Sequence, residues 1–517
     1  MSAGQPVVVV GAGIGGLTAA ATLAHAGRRV LVLERAAQVG GKLRTLPAGG
    51  ARVDAGPTVF TLGTWFEDLF AGWGESLPAQ LSLQPLEVLA RHAWADGPSL
   101  DLLADRAAAA QAIGRFAGPA EARRYLDFCA RAGRIFRTLE PTFMRAPRPG
   151  PLSLAWRCGW RGLPGLLQIA PFARLSRELA RHFEHPRLRQ LFGRYATYCG
   201  SSPALAPATL MLVAHAEQQG VWRLRGGMTA LASAVQRVAE ARGARVRCGA
   251  HVQRIQVRDG RVRGVELADG EVLPAEAVVF NGDAGALAQG LLGEPARAAV
   301  SSRVGGTRSL SALTWTGQAA TDGFALAHHN VFFADPAARP DEFDDVFGHA
   351  RLPRAPTVYI CAQDRHADGD APSLERLMVL VNAPACRSGQ ALGMQEIETC
   401  ERIVRAHLRR CGLRLRWDPC TVRRTTPADF EALFPGSGGA LYGPATHGWR
   451  SSFQRPGATT AIRGLVLAGG SVHPGPGLPM AATSGLLAAQ ALLASTASRD
   501  SIARSRATAM PGGISTR

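Results

Sequence analysis

The chain has 517 residues, 46% hydrophobic and 6% aromatic, enough for two or three domains with an ample core. Its formal net charge is +18, yet no dense basic run carries interleaved aromatics, which argues against nucleic-acid binding and leaves an anionic membrane surface as the partner the charge suits. Nine cysteines without a CxxC pair argue against a disulfide framework and a zinc site, so reduced structural thiols and no metal are expected.

Val7–Val10 is a short β-branched run suited to a buried parallel strand. Gly11, Gly13 and Gly16 then form a GxGxxG turn, Leu17 to Ala26 reads as a helix stopped by Gly27, and Arg28 to Glu34 as a second strand ending in an acid. The spacing has a reason: Gly11 permits a tight turn, Gly13 lets a phosphate approach the backbone, and Gly16 lets helix and strand pack closely. The pyrophosphate then meets the helix N-terminus, and Glu34 suits ribose hydroxyls. A dinucleotide site is therefore expected. Arg35 and the segment Gly40-Gly41-Lys42-Leu43-Arg44-Thr45 follow, with cations that suit phosphate.

Asp54-Ala55-Gly56-Pro57-Thr58-Val59 comes next, and then a helix-rich, arginine-rich stretch. Within it, Gly150 to Leu179 interleaves Trp156, Trp160, Leu163, Leu166, Leu167, Ile169 and Phe172 with Arg157, Arg161, Arg174 and Arg177, a pattern suited to shallow insertion into a bilayer. Gly226-Gly227-Met228 precedes another helix. Val252 lies in a strand closed by the turn Asp259-Gly260, and Val278 to Asp283 reads as strand and exit turn. Thr357 to Ala362 and Leu377 to Asn382 read as strands. Gly464 to Ala468 is a last strand, followed by the glycine-rich turn through Gly470, His473 and Met480 and a helix from Ala481 to Ser495. The polar tail from 496 to 517 is expected to be unstructured. No uninterrupted run of 18 apolar residues predicts a transmembrane helix, and the opening lacks the basic region of a signal peptide.

The acid followed by a GG-basic-x-basic segment resembles the second signature of the flavoprotein amine-oxidase superfamily. DAGPTV at 54–59 and the closing HPGxGxP at 473–479 resemble its bacterial carotenoid (phytoene-type) desaturase branch. Phe60-Thr61-Leu62 after DAGPTV, and Met480 in LPMAATSG, are most similar to the hydroxyneurosporene and methoxyneurosporene desaturases within that branch. The resemblance implies an α/β fold: a Rossmann-like FAD-binding domain in three pieces (1–72, 222–284 and 451–495) and a discontinuous α+β substrate domain (73–221 and 285–450). It implies FAD held by Gly11, Gly13, Gly16, Glu34, Arg35, Gly41, Lys42, Arg44, Gly56, Pro57, Val252, Gly470 and Met480.

The activity implied is introduction of the C3–C4 double bond into acyclic 1-hydroxy or 1-methoxy carotenoids, with hydride transfer to flavin N5. A cationic polyene shares developing charge, so no strong base is required. His473, beside the flavin turn, and Asp54 are the candidates for direct chemistry, with Tyr195, Tyr198 and Arg455 behind them. The same resemblance implies a peripheral enzyme on the cytoplasmic side of the inner, photosynthetic membrane, reoxidised by oxygen or quinone. A phytoene or neurosporene desaturase, or an isomerase of the branch, remains open; a non-enzymatic prenyl-lipid carrier of the same fold is the rival from another class.

Overall fold

The computed structural model describes residues 5–508 except 98, 302–303, 305, 339–340, 366–371 and 387–390, and it leaves the side chains of 160–168 and 496–508 aside. Short β-branched runs build a five-stranded parallel sheet in the order Arg245–Cys248, Val30–Glu34, Val7–Val10, Ala277–Phe280, Leu465–Leu467. Alternation decides which way each residue faces. Val7, Val9, Val32, Val279 and Val466 pack on the helices Ile14–His25, Thr229–Ala241 and Leu478–Thr508. Val8, Leu33, Val278, Leu465 and Leu467 pack on an antiparallel sheet of Val252–Arg258, Arg261–Leu267 and Val272–Pro274. The hairpin at Asp259 and Gly260 has positive φ at both residues (53° and 65°), which fits the turn read from the sequence.

A second sheet runs in the order Leu413–Trp417, Ser311–Gly323, Glu375–Ala383, Val358–Ala362, His329–Phe333, Val88–Trp94, Leu100–Leu103. One face (Trp315, Val358, Ile360, Val379) covers the helix Met394–Arg410. The other (Val331, Phe333, Tyr359, Cys361, Met378) meets a helical layer that includes Arg106–Ala117, Pro119–Leu139, Leu175–His182 and Pro186–Gly193. The first substrate block thus contributes two strands as well as helices. Trp73, Leu77 and Leu81 pack with the core of the parallel sheet. A small sheet of Phe60–Thr61, Val221–Leu224 and Leu83–Pro85 lies where the two parts join.

The expectation of an unstructured tail from 496 is corrected in part. The closing helix continues to Thr508, because neither glycine nor proline interrupts the chain between Leu486 and Met510; residues 509–517 lie outside the described residues. Leu478–Ser495 is long and apolar enough to cross a membrane by length and composition. Here it is a core helix, seated so tightly on Ile14–His25 that a Cβ at Gly485 would lie 2.0 Å from the Gly15 carbonyl oxygen.

Candidate functional site

Three distant segments converge on the first glycine turn. Gly11 has φ +97°, and a Cβ at Gly16 would lie 2.1 Å from the Gly11 carbonyl oxygen, so strand and helix meet backbone to backbone. Gly13 caps the helix with no side-chain acceptor, which leaves the first turn's N–H groups to a ligand. Glu34, buried at the end of its strand, accepts from the Ala12 N–H at 2.7 Å and from the Ala36 N–H at 2.8 Å. It therefore braces the turn while each oxygen keeps acceptor capacity.

The Gly40-Gly41 pair lies directly against this turn. Gly40 donates to the Ala12 carbonyl at 2.8 Å, and a Cβ on Gly41 would lie 3.1 Å from Gly13 Cα. The basic side chains beside it reach different acceptors: Arg35 the Ala432 carbonyl at 2.5 Å, Lys42 the Leu441 carbonyl at 2.5 Å, and Arg44 the Thr425 hydroxyl at 3.2 Å. They tie the opening segment to residues 425–441 and form no single cationic cluster. Burial pulls Lys42 below the ordinary lysine range, opposed by Asp283 and reinforced by Arg455.

Asp54 is built in as a tie. Its Oδ2 accepts from the Met228 N–H at 2.8 Å, and its backbone exchanges two 2.9 Å hydrogen bonds with the Gln363 amide. Gly227, at φ +81°, passes so close that a Cβ would lie 2.6 Å from Oδ2. Burial raises the Asp54 pKa, partly offset by the Met228 N–H and by Arg376, and Oδ1 is buried without a partner. Next along, a Cβ on Gly56 would lie 1.8 Å from the Lys42 carbonyl, so Gly56 and Pro57 are pressed onto the basic segment.

The closing loop completes the convergence. A Cβ at Gly15 would lie 3.0 Å from the Gly469 N and 2.8 Å from the Ala481 O. Arg455, 4% exposed, donates to the carbonyls of Tyr442 (3.1 Å), Gly470 (3.2 Å) and Pro444 (2.8 Å), and burial lowers its pKa to about 10. Met480 reaches the apolar cluster between the second sheet and the helical layer.

Two expected site residues stand apart from this turn. Val252 is buried on the far face of the parallel sheet. His473, 2% exposed, donates from Nε2 to the Ala146 carbonyl at 2.9 Å and packs edge-on to Phe143. Burial lowers its pKa to about 4. That bond orients the ring and leaves Nδ1 buried without a hydrogen-bond partner, and the lowered pKa makes it a weak base.

Asn281 was not picked out for this site from the sequence. It donates from Nδ2 to the Gly11 carbonyl at 3.1 Å and lies under Gly13, Gly15 and Gly16. Its signal was position, an amide directly after a strand that pairs with the opening one. Gln363, the partner of Asp54, carried no signal at all.

A family model of flavin containing amine oxidoreductases matches residues 14–493. The chain is 54% identical to the hydroxyneurosporene desaturase of Rubrivivax gelatinosus, over 99% of this chain and 97% of that one. It is 44% identical to the hydroxyneurosporene desaturase of Rhodobacter capsulatus, over 94% and 97%. Among solved structures, an oxidoreductase from Methanosarcina mazei has the same fold, with a TM-score of 0.58 at 16% identity over 95% of this chain and 100% of that one.

Proposed function

This chain belongs to the flavin containing amine oxidoreductase family, and from that premise we propose that it is an FAD-dependent desaturase forming the C3–C4 double bond of acyclic 1-hydroxy and 1-methoxy carotenoids. The observation that carries this reading is 54% identity, over nearly the full length of both chains, to a hydroxyneurosporene desaturase. The glycine turn supports it, because Gly13 caps the first helix without a side-chain acceptor and its first-turn N–H groups suit a pyrophosphate.

Bound FAD would supply the acceptor for the hydride, which carries both electrons, while a proton leaves the adjacent carbon. The protein's own residues bind and orient. Gly11, Gly13, Gly16 and Glu34 would hold the adenosine and pyrophosphate half, with Val252 as the expected adenine contact. Arg35, Lys42 and Arg44 fix the covering segment. Gly56, Pro57, Gly470 and Met480 would hold the flavin end. Asp54 and His473 act as positioning residues: one joins DAGPTV to the Met228 turn, the other joins the closing loop to Ala146. The apolar wall of Val331, Phe333, Met378 and Met480 suits a polyene and excludes water from it.

Membrane docking belongs to the same proposal. Leu152 and Trp156, in the helix Pro151–Gln168, and Phe172 just beyond it are 87%, 83% and 77% exposed, on a chain of net charge +18. This suits peripheral attachment to an anionic leaflet on the cytoplasmic side of the inner, photosynthetic membrane, where the substrate dissolves. Electrons leave to oxygen or a membrane quinone, and assays with and without oxygen separate the two.

The test is expression in cells that make 1-hydroxyneurosporene, with extracted pigments read by absorption and mass. Loss of two hydrogens with a red shift is expected. Conversion of phytoene or another polyene, with 1-hydroxyneurosporene untouched, would overturn the substrate and leave the fold.

A further inference from the structure

The inner face of the second sheet is largely apolar and carries a cluster of linked polar side chains where it meets the DAGPTV segment. There Tyr359 bridges Thr58 Oγ1 and His329 Nδ1, each at 2.7 Å. The Arg194 guanidinium lies 5.5 Å from the ring centres of both Tyr359 and Tyr198. Glu217 accepts from Tyr195 and, at 3.1 Å, from Tyr198. His329 and Glu217 are buried, and their neighbours Val331, Phe333, Phe192 and Ala196 are apolar. A guanidinium, a carboxylate and an imidazole placed in such a wall carry a desolvation cost. Packing alone does not call for them.

Two details give the island a direction. Thr58 belongs to the DAGPTV segment, so one end of the island touches the loop proposed to line the flavin. His329, 2% exposed, has its Nε2 buried with no hydrogen-bond partner. Resting on the substrate class proposed above, covalent geometry adds a constraint. The C1 oxygen is separated from C3 by only two carbons, so it lies within about 4 Å of the bond being oxidised. Whatever recognises that oxygen must sit beside the flavin, not at the far end of a tunnel.

We propose that His329, held by Tyr359 and backed by Arg194, is the specificity-determining subsite for the C1 oxygen of the carotenoid end group. Burial, with His328 and Arg194 nearby, keeps the His329 imidazole neutral. With Nδ1 accepting from the Tyr359 hydroxyl, Nε2 carries the hydrogen and donates. A donor reads the lone pair shared by a hydroxyl and a methyl ether, which accounts for one site taking both. The plain hydrocarbon end leaves that donor buried and unpaired, and is rejected for it.

The test uses the FAD-loaded full chain with 1-hydroxyneurosporene and neurosporene in lipid vesicles, measuring kcat/KM for each. The ratio of the two is expected to fall about ten- to a hundredfold in His329→Leu and less in His329→Gln, which keeps an N–H donor. Tyr359→Phe, which frees the ring, is expected to fall between them. Flavin absorbance and melting temperature report folding, and His329→Gln keeps the comparison available if the leucine variant does not fold. A ratio unchanged within twofold, with both substrates slowed alike, would overturn the subsite and leave the activity standing. Absence of turnover of any 1-oxygenated carotenoid by the parent would overturn both. One tightly bound metal ion per chain, lost in His329→Gln, would also overturn it, by giving Nε2 to a cation shared with His328 and Cys361, whose ligand atoms lie within 4.8 Å of one another.

Discussion

Gly16→Ala puts the glycine-turn argument at risk most directly. The added methyl carbon would lie 2.1 Å from the Gly11 carbonyl oxygen and 3.0 Å from the Asn281 amide. Ordinary contact begins near 3.4 Å, so helix Ile14–His25 must retreat from its strand by about 1 Å. The neighbour is backbone held by a parallel sheet, and the opposite side of the helix is blocked by Gly485 on the Gly15 carbonyl. Overpacking of this kind costs about 1–3 kcal/mol in stability. It also displaces the N–H groups that meet the pyrophosphate, and a misplacement of 1 Å is worth on the order of a hundredfold. FAD titration of the apoprotein, followed by quenching of tryptophan fluorescence, is expected to show a Kd raised about a hundredfold. Gly27→Ala is the control. Its Cβ meets nothing within 4 Å, but its φ of +76° costs about 1–2 kcal/mol, so it should lower the melting temperature and leave the Kd alone. A Gly16→Ala protein that binds FAD within threefold of the parent would refute the placement of the cofactor on this turn.

Three other outcomes follow from the same geometry. Asp54→Asn keeps an oxygen for the Met228 N–H, whereas Asp54→Ala loses it and should cost about 1–3 kcal/mol in chemical denaturation. Because burial raises the Asp54 pKa, the parent should lose stability relative to Asp54→Asn as pH rises from below the ordinary carboxylate range through the raised value; parallel pH curves would show that this carboxyl is not desolvated. For His473 the sign is opposite. With its pKa lowered from 6.5 to about 4, the neutral ring contributes up to about 3 kcal/mol above pH 6.5, lost as pH falls toward 4. His473→Asn should flatten that window in thermal melts and keep measurable turnover with FAD bound, while loss of all turnover in a folded, FAD-loaded variant would restore a catalytic role. Replacing Leu152, Trp156 and Phe172 together by glutamate should weaken flotation with anionic liposomes at least tenfold, since each large apolar side chain buried in lipid is worth about 1.5–3 kcal/mol; undiminished flotation would move the docking surface elsewhere.

The cofactor half of the molecule was legible because its signals are local. A glycine that must accept a positive φ, a β-branched run and an acid at a strand end all act within one turn of themselves, and Gly11, Val7–Val10 and Glu34 occupy the places expected of them. What escaped depended on partners far along the chain. Nothing within ten residues of Asp54 indicates that Gln363 will clasp its backbone. Val88–Trp94 reads poorly as a strand because Arg91 and His92 break the apolar alternation. Arg91 is satisfied by Asp101 across the hairpin at 2.7 Å, and His92 by stacking on Phe333 of the parallel neighbour. His329 looks like any polar residue at a strand edge until its register with Cys361 turns it to the inner face. The closing helix outruns its expected end because polar composition alone does not stop a helix that neither glycine nor proline interrupts.

The interleaving of the two domains has a physical consequence at Gly15. This residue of the chain's first helix is crowded by Asn281 from the middle and by Gly469, Ala481 and Gly485 from the end. Each approach is too close for a side chain, so none of the three segments can shift without moving the others. The turn read from the first 45 residues is therefore not a property of those residues alone, since its neighbours from the chain's end arrive only when Leu465–Leu467 pairs with Ala277–Phe280 and the helix behind it docks. Pairings so distant in sequence form late, because loop closure must precede them. The substrate domain, threaded between the cofactor pieces, is then fixed to them by short polar ties: Lys42 to Leu441, Asp54 to Gln363, Arg455 to Tyr442 and Thr58 to Tyr359. These ties fix the spacing between the flavin loop and the sheet that roofs it. On the proposed function, that spacing would select the carbon of a featureless polyene presented for oxidation, with the proposed His329 subsite at the same junction.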